Sequence, residues 1–151
     1  MKKMIVIGAD HAGYPMKQFL LQQLKEAGCS VEDAGTYDEK SCNTQPYAQK
    51  VAEDVARSEE KLGILVCGTG AAMCIMANKV KGARAVIAHD LFTARMMRTH
   101  NDANILCMGQ RVIANNMAWE IAKTWLSCEP LGGKYAERRE SIAKYEDEHF
   151  K

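Results

Sequence analysis

Apolar and polar positions along this chain fall into blocks whose period switches repeatedly between that of a covered strand and that of an amphipathic helix. Met4–Gly8 (MIVIG) is a short continuous apolar run ending in glycine, the pattern of a strand covered on both faces. From Tyr14 onward Met16, Phe19, Leu20, Leu24 and Ala27 recur three and four residues apart, with Lys and Gln between them. That is one face of a helix, and Gly28 ends it. Residues 30–34 predict a weaker strand. A polar loop, TYDEKSCNTQ, follows, closed by Pro46, a residue favoured at the first position of a helix. Tyr47/Ala48, Val51/Ala52 and Val55/Ala56 give that helix its apolar face.

The alternation continues to the end of the chain. Residues 62–67 (LGILVC) predict a strand, followed by Gly68-Thr69-Gly70 and an Ala/Met-rich helix to Asn78. Residues 83–88 predict a fourth strand, and Asp90 is a suitable N-cap for a helix carrying Leu91, Phe92, Ala94 and Met97. Residues 104–108 predict a fifth strand, and Ile113, Met117, Ile121 and Trp125 then recur every four residues. After Pro130 and Gly132-Gly133 comes a charged helix, about 134–149, with a thin apolar stripe of Tyr135, Ile142, Tyr145 and Phe150. Five strands, each followed by a helix, imply an α/β fold with a parallel sheet covered on both faces. The last helix is too polar for a monomer core and is expected to contact a partner subunit or border a site.

The length, 151 residues, predicts a single domain over 1–151. With 47% hydrophobic and 26% charged residues, the chain is no disordered or low-complexity segment. Twenty basic against nineteen acidic side chains leave a net charge of +1, too balanced for a nucleic-acid or anionic-membrane surface. No apolar run approaches a membrane span or a signal h-region. The six cysteines form no CxxC pair and none lies at zinc-finger spacing from a histidine. Free thiols in a cytoplasmic protein without a metal are therefore expected.

In a parallel sheet ligands sit beyond the carboxyl ends of the strands, which narrows the search to short segments. Asp10 and His11 follow the first strand, Cys67-Gly68-Thr69-Gly70 the third, His89-Asp90 the fourth and Gly109-Gln110-Arg111 the fifth. Together with Thr99-His100-Asn101-Asp102 at the end of a helix, these groups are expected to converge on one sheet edge. Backbone amides at a glycine-rich helix start form a concavity for negative charge, and the same field favours a thiolate. Such a thiolate suits proton abstraction beside a carbonyl, acyl transfer or a redox role. The plainer reading is a tight turn over a small buried cysteine. The loop is neither a Walker nor a dinucleotide loop, lacking Lys-Ser/Thr and having Met73 where the third glycine belongs.

Taken in order, the motifs become specific. Gly-x-Asp10-His11-x-Gly, Cys67-Gly-Thr-Gly with Ala77-Asn78-Lys79, Gly82-x-Arg84-Ala85, His100-Asn101-Asp102-x-Asn104, Gly109-x-Arg111-Val112 and Gly132-Gly133 span essentially the whole chain. This series resembles the type B ribose-5-phosphate isomerases, within the wider family that includes galactose-6-phosphate isomerase subunits. The resemblance implies a Rossmann-like three-layer sandwich, working as a homodimer or dimer of dimers with sites shared between subunits. It implies aldose–ketose isomerisation of a phosphorylated sugar, D-ribose 5-phosphate with D-ribulose 5-phosphate, through a cis-enediolate and without cofactor or metal. Cys67 then corresponds to the base, Thr69 to the residue that shuttles protons at the sugar oxygens, and His100 to the ring-opening group with Asn101 beside it. The amides of Gly68, Thr69, Gly70, Ala71, Ala72 and Met73 correspond to the enediolate cradle. Asp10 corresponds to a contact for sugar hydroxyls, and His11, Arg111, Lys134 and Arg138 to the phosphate site.

Some positions depart from the family pattern. Lys134 stands where Arg is usual, which turns a bidentate contact into a point charge. Met73 stands where some relatives carry a Glu base, leaving Cys67 as the base candidate of the loop. Asn43-Thr44-Gln45 replaces a usual Asp-Tyr-Pro, with Pro46 one place late, and Ala72 replaces a glycine that would be needed if φ is positive there. Two alternatives follow: the same chemistry on a tetrose, allose or deoxy sugar phosphate, or a non-catalytic sugar-phosphate-binding paralogue. Beside these, Arg84 is expected to be structural, Arg139 a solvated charge, the remaining cysteines packing or surface thiols, and the methionines packing residues.

Overall fold

The computed structural model describes residues 3–151; Met1 and Lys2, the first residues of the expected single domain, lie outside them. The strands are β1 (Met4–Ala9), β2 (Val31–Asp33), β3 (Lys61–Cys67), β4 (Ala85–Ile87) and β5 (Ile105–Gly109). They alternate with α1 (Tyr14–Glu26), α2 (Gln45–Ala56), α3 (Ala71–Ala77), α4 (Leu91–Thr99) and α5 (Asn115–Leu126), and α6 (Lys134–His149) follows. Every pairing is parallel, in the order β2-β1-β3-β5-β4. The chain moves outward from β1 to β2 and then crosses back to β3, so the carboxyl ends of β1 and β3 flank a switch in strand order. That is where a doubly wound sheet leaves a crevice for a ligand.

The helices divide between the two faces as their apolar stripes require. Met16, Leu20 and Leu24 of α1, Met97 of α4 and Ile121 and Trp125 of α5 cover Ile5, Ile7, Ile64 and Leu106 on one side. Val51 and Val55 of α2 and Met73 of α3 cover Val6, Leu65 and Ile105 on the other. Each such side chain contributes roughly 1.5–3 kcal/mol on full burial, enough to lock the strand register that sets the site. Trp125 is fully buried and its indole N–H donates to the Ala103 carbonyl at 3.1 Å, so its own polar group is satisfied.

Several elements are shorter than their apolar runs. Ala83 and Arg84 stay outside β4 because the Asn104 side chain takes the Arg84 amide at 2.7 Å, where a strand partner would otherwise stand. Asp90 caps α4 as expected, its carboxylate accepting from the Thr93 amide at 2.6 Å and the Thr93 hydroxyl at 2.8 Å. The four-residue recurrence before α5 overstates its buried face, since Ile113 precedes the helix and Met117 is 42% exposed. None of α6 is buried. It is pinned beside β4 by Glu146, which accepts from the Gly82 amide, and by the Lys81–Asp147 pair. Ile142 and Tyr145, 65% and 61% exposed, line a groove of about 400 Å³ with Ala83, Ala85 and Val86.

Candidate active site

Sheet register assembles the first part of the site. Ala9 of β1 lies opposite Val66 of β3, and Cys67 lies opposite Gly109 of β5. Three strand ends therefore bring Asp10, Cys67 and the Gly109–Arg111 turn side by side. Cys67 is buried, and its Sγ accepts the Gly70 amide at 3.1 Å. Gly70 has φ +84°, the turn that swings the chain from β3 into α3. The Thr69 hydroxyl is exposed on this turn, where its oxygen accepts the Ala71 amide at 3.2 Å. Gly109 lies hard under the same turn, because a Cβ there would stand 2.6 Å from the Thr69 carbonyl carbon.

A cation covers the loop. The amides of Gln110 and Arg111 donate to the carbonyls of Cys67 and Gly68 at 2.9 and 3.0 Å. The Arg111 guanidinium lies across Gly68, with Nη1 3.3 Å from where a Cβ would be. Arg111 itself is exposed, so this charge is available to an anion held over the loop.

Asp10 is 6% exposed and accepts three hydrogen bonds through its carboxylate, which leaves room on Oδ2 for one more. Its Oδ1 accepts the amides of Ala12 and Gly13 at 3.0 and 3.1 Å, and Oδ2 accepts the Thr44 hydroxyl at 2.8 Å. It makes a turn rather than a helix cap, since Gly13 holds the N-cap position of α1. His11 Nδ1 accepts the Cys42 amide at 3.2 Å, so a neutral ring carries its proton on Nε2. The loop containing Thr44 is thus tied to both residues. Ala72 lies within α3, and among the described residues Asp102 is the non-glycine residue with positive φ, so Ala72 carries no left-handed strain. Met73 points its side chain into the core and can offer only its amide.

His100 and its neighbours are elsewhere, which corrects the expected convergence. A helix returning from a parallel strand runs antiparallel to it, so α4 starts at the carboxyl edge and ends where the strands begin. Its nine residues cover about 13 Å. The loop after it is bonded to the strand starts, the Asn104 amide donating to the Arg84 carbonyl at 3.1 Å. There the His100 ring stacks on Tyr135 of α6, centroids 4.2 Å apart. Lys134 Nζ and the Arg138 guanidinium lie 5.3 and 5.9 Å from the same Tyr135 ring. Arg139 is no solvated charge: it donates to the carbonyls of His100 at 3.1 Å and Leu131 at 2.8 Å. One chain therefore presents two clusters on opposite sheet edges, Asp10/His11/Cys67/Thr69/Arg111 and His100/Asn101/Lys134/Arg138.

One further group, His89, supports the carboxyl edge. His89 Nε2 accepts the Gly109 amide at 2.9 Å, and burial holds its pKa below the ordinary 6.5, so the ring braces the glycine under Thr69 as a neutral acceptor. Its position at the end of β4 was the available signal in the sequence. On α3, a hydrogen bond with Cys107 brings the Cys74 thiol down to about 7, and Cys107, fully buried, is pushed up.

A parallel α/β sheet whose switch point carries a buried thiol, a glycine turn and an arginine over that turn defines a Rossmann-like protein built to hold a small anion. The model of the ribose/galactose isomerase family matches residues 5–142. The chain is 39% identical over 144 residues to ribose-5-phosphate isomerase B of Escherichia coli, covering 95% of this chain and 97% of that one. It is also 39% identical over 144 residues to D-erythrulose-4-phosphate isomerase of Pectobacterium atrosepticum, covering 94% of each. The solved structure of ribose-5-phosphate isomerase B from Mycoplasma genitalium with bound ribulose-5-phosphate superposes with a TM-score of 0.94 at 35% identity, over 98% of this chain and 99% of that one. The chain belongs to the ribose/galactose isomerase family.

Proposed function

We propose that this protein interconverts D-ribose 5-phosphate and D-ribulose 5-phosphate. The observation that carries the reading is Cys67, a thiol at the sheet's switch point that accepts the Gly70 amide beneath the Arg111 guanidinium. As thiolate it takes the proton from C2 of the open-chain aldose while the C1 carbonyl receives the electron pair. The enediolate oxygen is held by the amides from Gly68 to Met73. Thr69 moves a proton between the two sugar oxygens, and the Cys67 thiol returns its proton to C1. Asp10 orients the sugar hydroxyls, held ready by Thr44, and His11 and Arg111 take the phosphate.

Ring opening requires a proton at the furanose oxygen as the C1 hydroxyl loses its own, and His100 supplies it. Because His100, Lys134 and Arg138 stand on the opposite edge from Cys67, the working site combines the carboxyl edge of one copy with the amino edge of another. A homodimer, alone or doubled, is the smallest assembly that does so. The exposed Ile142 and Tyr145 of α6 give that contact an apolar surface. Six free cysteines support a reducing cytoplasm as its location, and the whole chain, 1–151, acts as one domain.

The relative named for D-erythrulose 4-phosphate favours a second reading, the same chemistry on a tetrose phosphate. A terminally phosphorylated tetrose cannot close a furanose ring and has no use for His100. The helical backbone at Ala72 removes the distorted loop that would motivate a non-catalytic paralogue. A proton NMR time course in D₂O decides among the three. Ribulose 5-phosphate forming from ribose 5-phosphate, with solvent deuterium at C1, is the expected result. Turnover of erythrose 4-phosphate alone would select the second reading, and silence with both sugars would remove the enzymatic one.

A further inference from the structure

The loop that carries His100 is organised around one backbone conformation. Asp102 has φ +48°, a region that side chains with a Cβ avoid and that aspartate tolerates better than most. The amides of Asp102 and Ala103 return to the carbonyls of Arg98 and Met97 at 3.1 and 2.8 Å, closing the end of α4. The chain then turns back into β5, leaving His100 and Asn101 on the projecting turn.

Two arginines grip that turn. Arg84 Nε donates to the Asp102 carbonyl at 2.7 Å, and its Nη2 stands 3.4 Å from Oδ2 of the same residue. Arg98, almost wholly buried, takes the other carboxylate oxygen. The Arg84 backbone is itself locked, its amide donating to Asn104 Oδ1 at 2.7 Å while Asn104 Nδ2 donates to the Gly82 carbonyl at 3.0 Å. Arg84 is 43% exposed at its side chain, and an arginine so placed adds little to stability through one ion pair. Apart from one from Nη1 to the Gly82 carbonyl at 3.3 Å, its side-chain hydrogen bonds nevertheless go to the backbone and the carboxylate of one residue, Asp102, two positions beyond His100.

We propose that Arg84 is a positioning residue for ring opening: by gripping Asp102 through both backbone and side chain, it sets where the α4 terminus ends and so where the His100 imidazole meets the sugar's ring oxygen. The inference rests on the assignment of His100 as the ring-opening group. Tyr135 and Arg139 hold the ring and the carbonyl of His100 from α6, and Arg84 holds the turn from the β4 side. A role confined to folding would affect all activities of the protein alike, whereas positioning of His100 affects only those that begin from a closed ring.

Arg84→Met keeps the aliphatic stem and removes every donor. Two assays separate the roles: isomerisation of D-ribose 5-phosphate, and exchange of the C1 proton of D-ribulose 5-phosphate with D₂O. The ketose has its C5 oxygen phosphorylated, so it is an open chain and its exchange calls on Cys67 without ring opening. In Arg84→Met, isomerisation should fall roughly 10- to 100-fold while exchange stays within about twofold of native. His100→Asn should give the same split, and the double variant should be no worse than His100→Asn alone. Equal losses in both assays would overturn the proposal in favour of a structural role, and full isomerisation by Arg84→Met would overturn it outright. Should His100→Asn retain ribose 5-phosphate turnover, the assignment of His100 fails, and the role of Arg84 falls with it; that outcome is read from the His100 variant independently.

Discussion

Gly109→Ala tests the site through a single methyl group. The Gly109 backbone is one that alanine adopts, so the perturbation is steric. The new Cβ would stand 2.6, 2.7 and 2.8 Å from the carbonyl carbon, Cα and oxygen of Thr69. Non-bonded carbons settle near 3.5–4.0 Å, so something must move by about 1 Å. Gly109 is held in β5 opposite Cys67, and its amide is fastened to His89 Nε2 at 2.9 Å. The exposed Thr69 turn therefore yields, carrying its hydroxyl and the neighbouring amides away from Cys67. A displacement of that size at reacting groups costs on the order of 10²-fold in rate. Overpacking costs about 1–3 kcal/mol in stability. In a domain of this size each kcal/mol lowers Tm by roughly 2–4 °C. Steady-state isomerisation of ribose 5-phosphate and a thermal melt read the two effects. A variant with lowered Tm and turnover within about threefold of native would refute the placement of Thr69 at the reacting oxygens.

Other expectations follow from buried charge and titration. Lys17 is fully buried and pairs with Asp33 at 2.6 Å, between the rings of Tyr14 and Tyr37. Asp33→Ala strands that ammonium and should cost about 3–5 kcal/mol by denaturant unfolding, whereas Lys17→Met should be near neutral; equal losses would contradict the account. His89 has its folded pKa below the ordinary 6.5. The unfolded chain therefore binds the proton first as pH falls, and stability should drop below pH 6.5 toward the folded pKa. His89→Gln, which keeps an acceptor, should remove that contribution, and an unchanged pH profile of Tm would count against it. Cys74, with its pKa near 7, should be alkylated by iodoacetamide with a midpoint near that pH, checked by peptide mass spectrometry; a midpoint near 9 would contradict it.

The order of strands and helices was legible because apolar runs and helical stripes alternate, with glycine stops at Gly28 and Gly109; β1 runs through Gly8 to Ala9. The sheet positions of Cys67, Asp10 and Arg111 were legible for the same reason, since each follows a strand end. Strand lengths were less so. Ala83 and Arg84 run straight on into the apolar stretch of β4, yet Asn104, distant in sequence, takes the Arg84 amide. Lys17 reads as part of the polar face of α1, and only the approach of Asp33 explains its burial. Whether position 72 needs a glycine's φ was not legible in the sequence; Gly70 supplies the positive φ two residues earlier, and Ala72 is helical. His100 lies on the opposite edge from Cys67 because α4 returns antiparallel to the strands and His100 stands at its far end, a direction that the residue pattern alone does not display. Arg139 looked like one of many surface charges, and its two carbonyl partners lie on the far side of the Gly132-Gly133 turn.

The proposed division of the site between two copies is tested most directly by mixing chains disabled on opposite sheet edges. Cys67→Ala disables the carboxyl-edge half and His100→Asn the amino-edge half. Cys67→Ala alone should be inactive toward ribose 5-phosphate, and His100→Asn alone should keep about a tenth of native turnover or less. Co-expressed, they should form mixed assemblies in which the intact Cys67 of one chain meets the intact His100 of the other, restoring about a quarter of native turnover on random pairing. Recovery of that size, followed as ribulose 5-phosphate with deuterium at C1, is the predicted result. Purified mixed assemblies no more active than the two parent variants would contradict a site shared between copies.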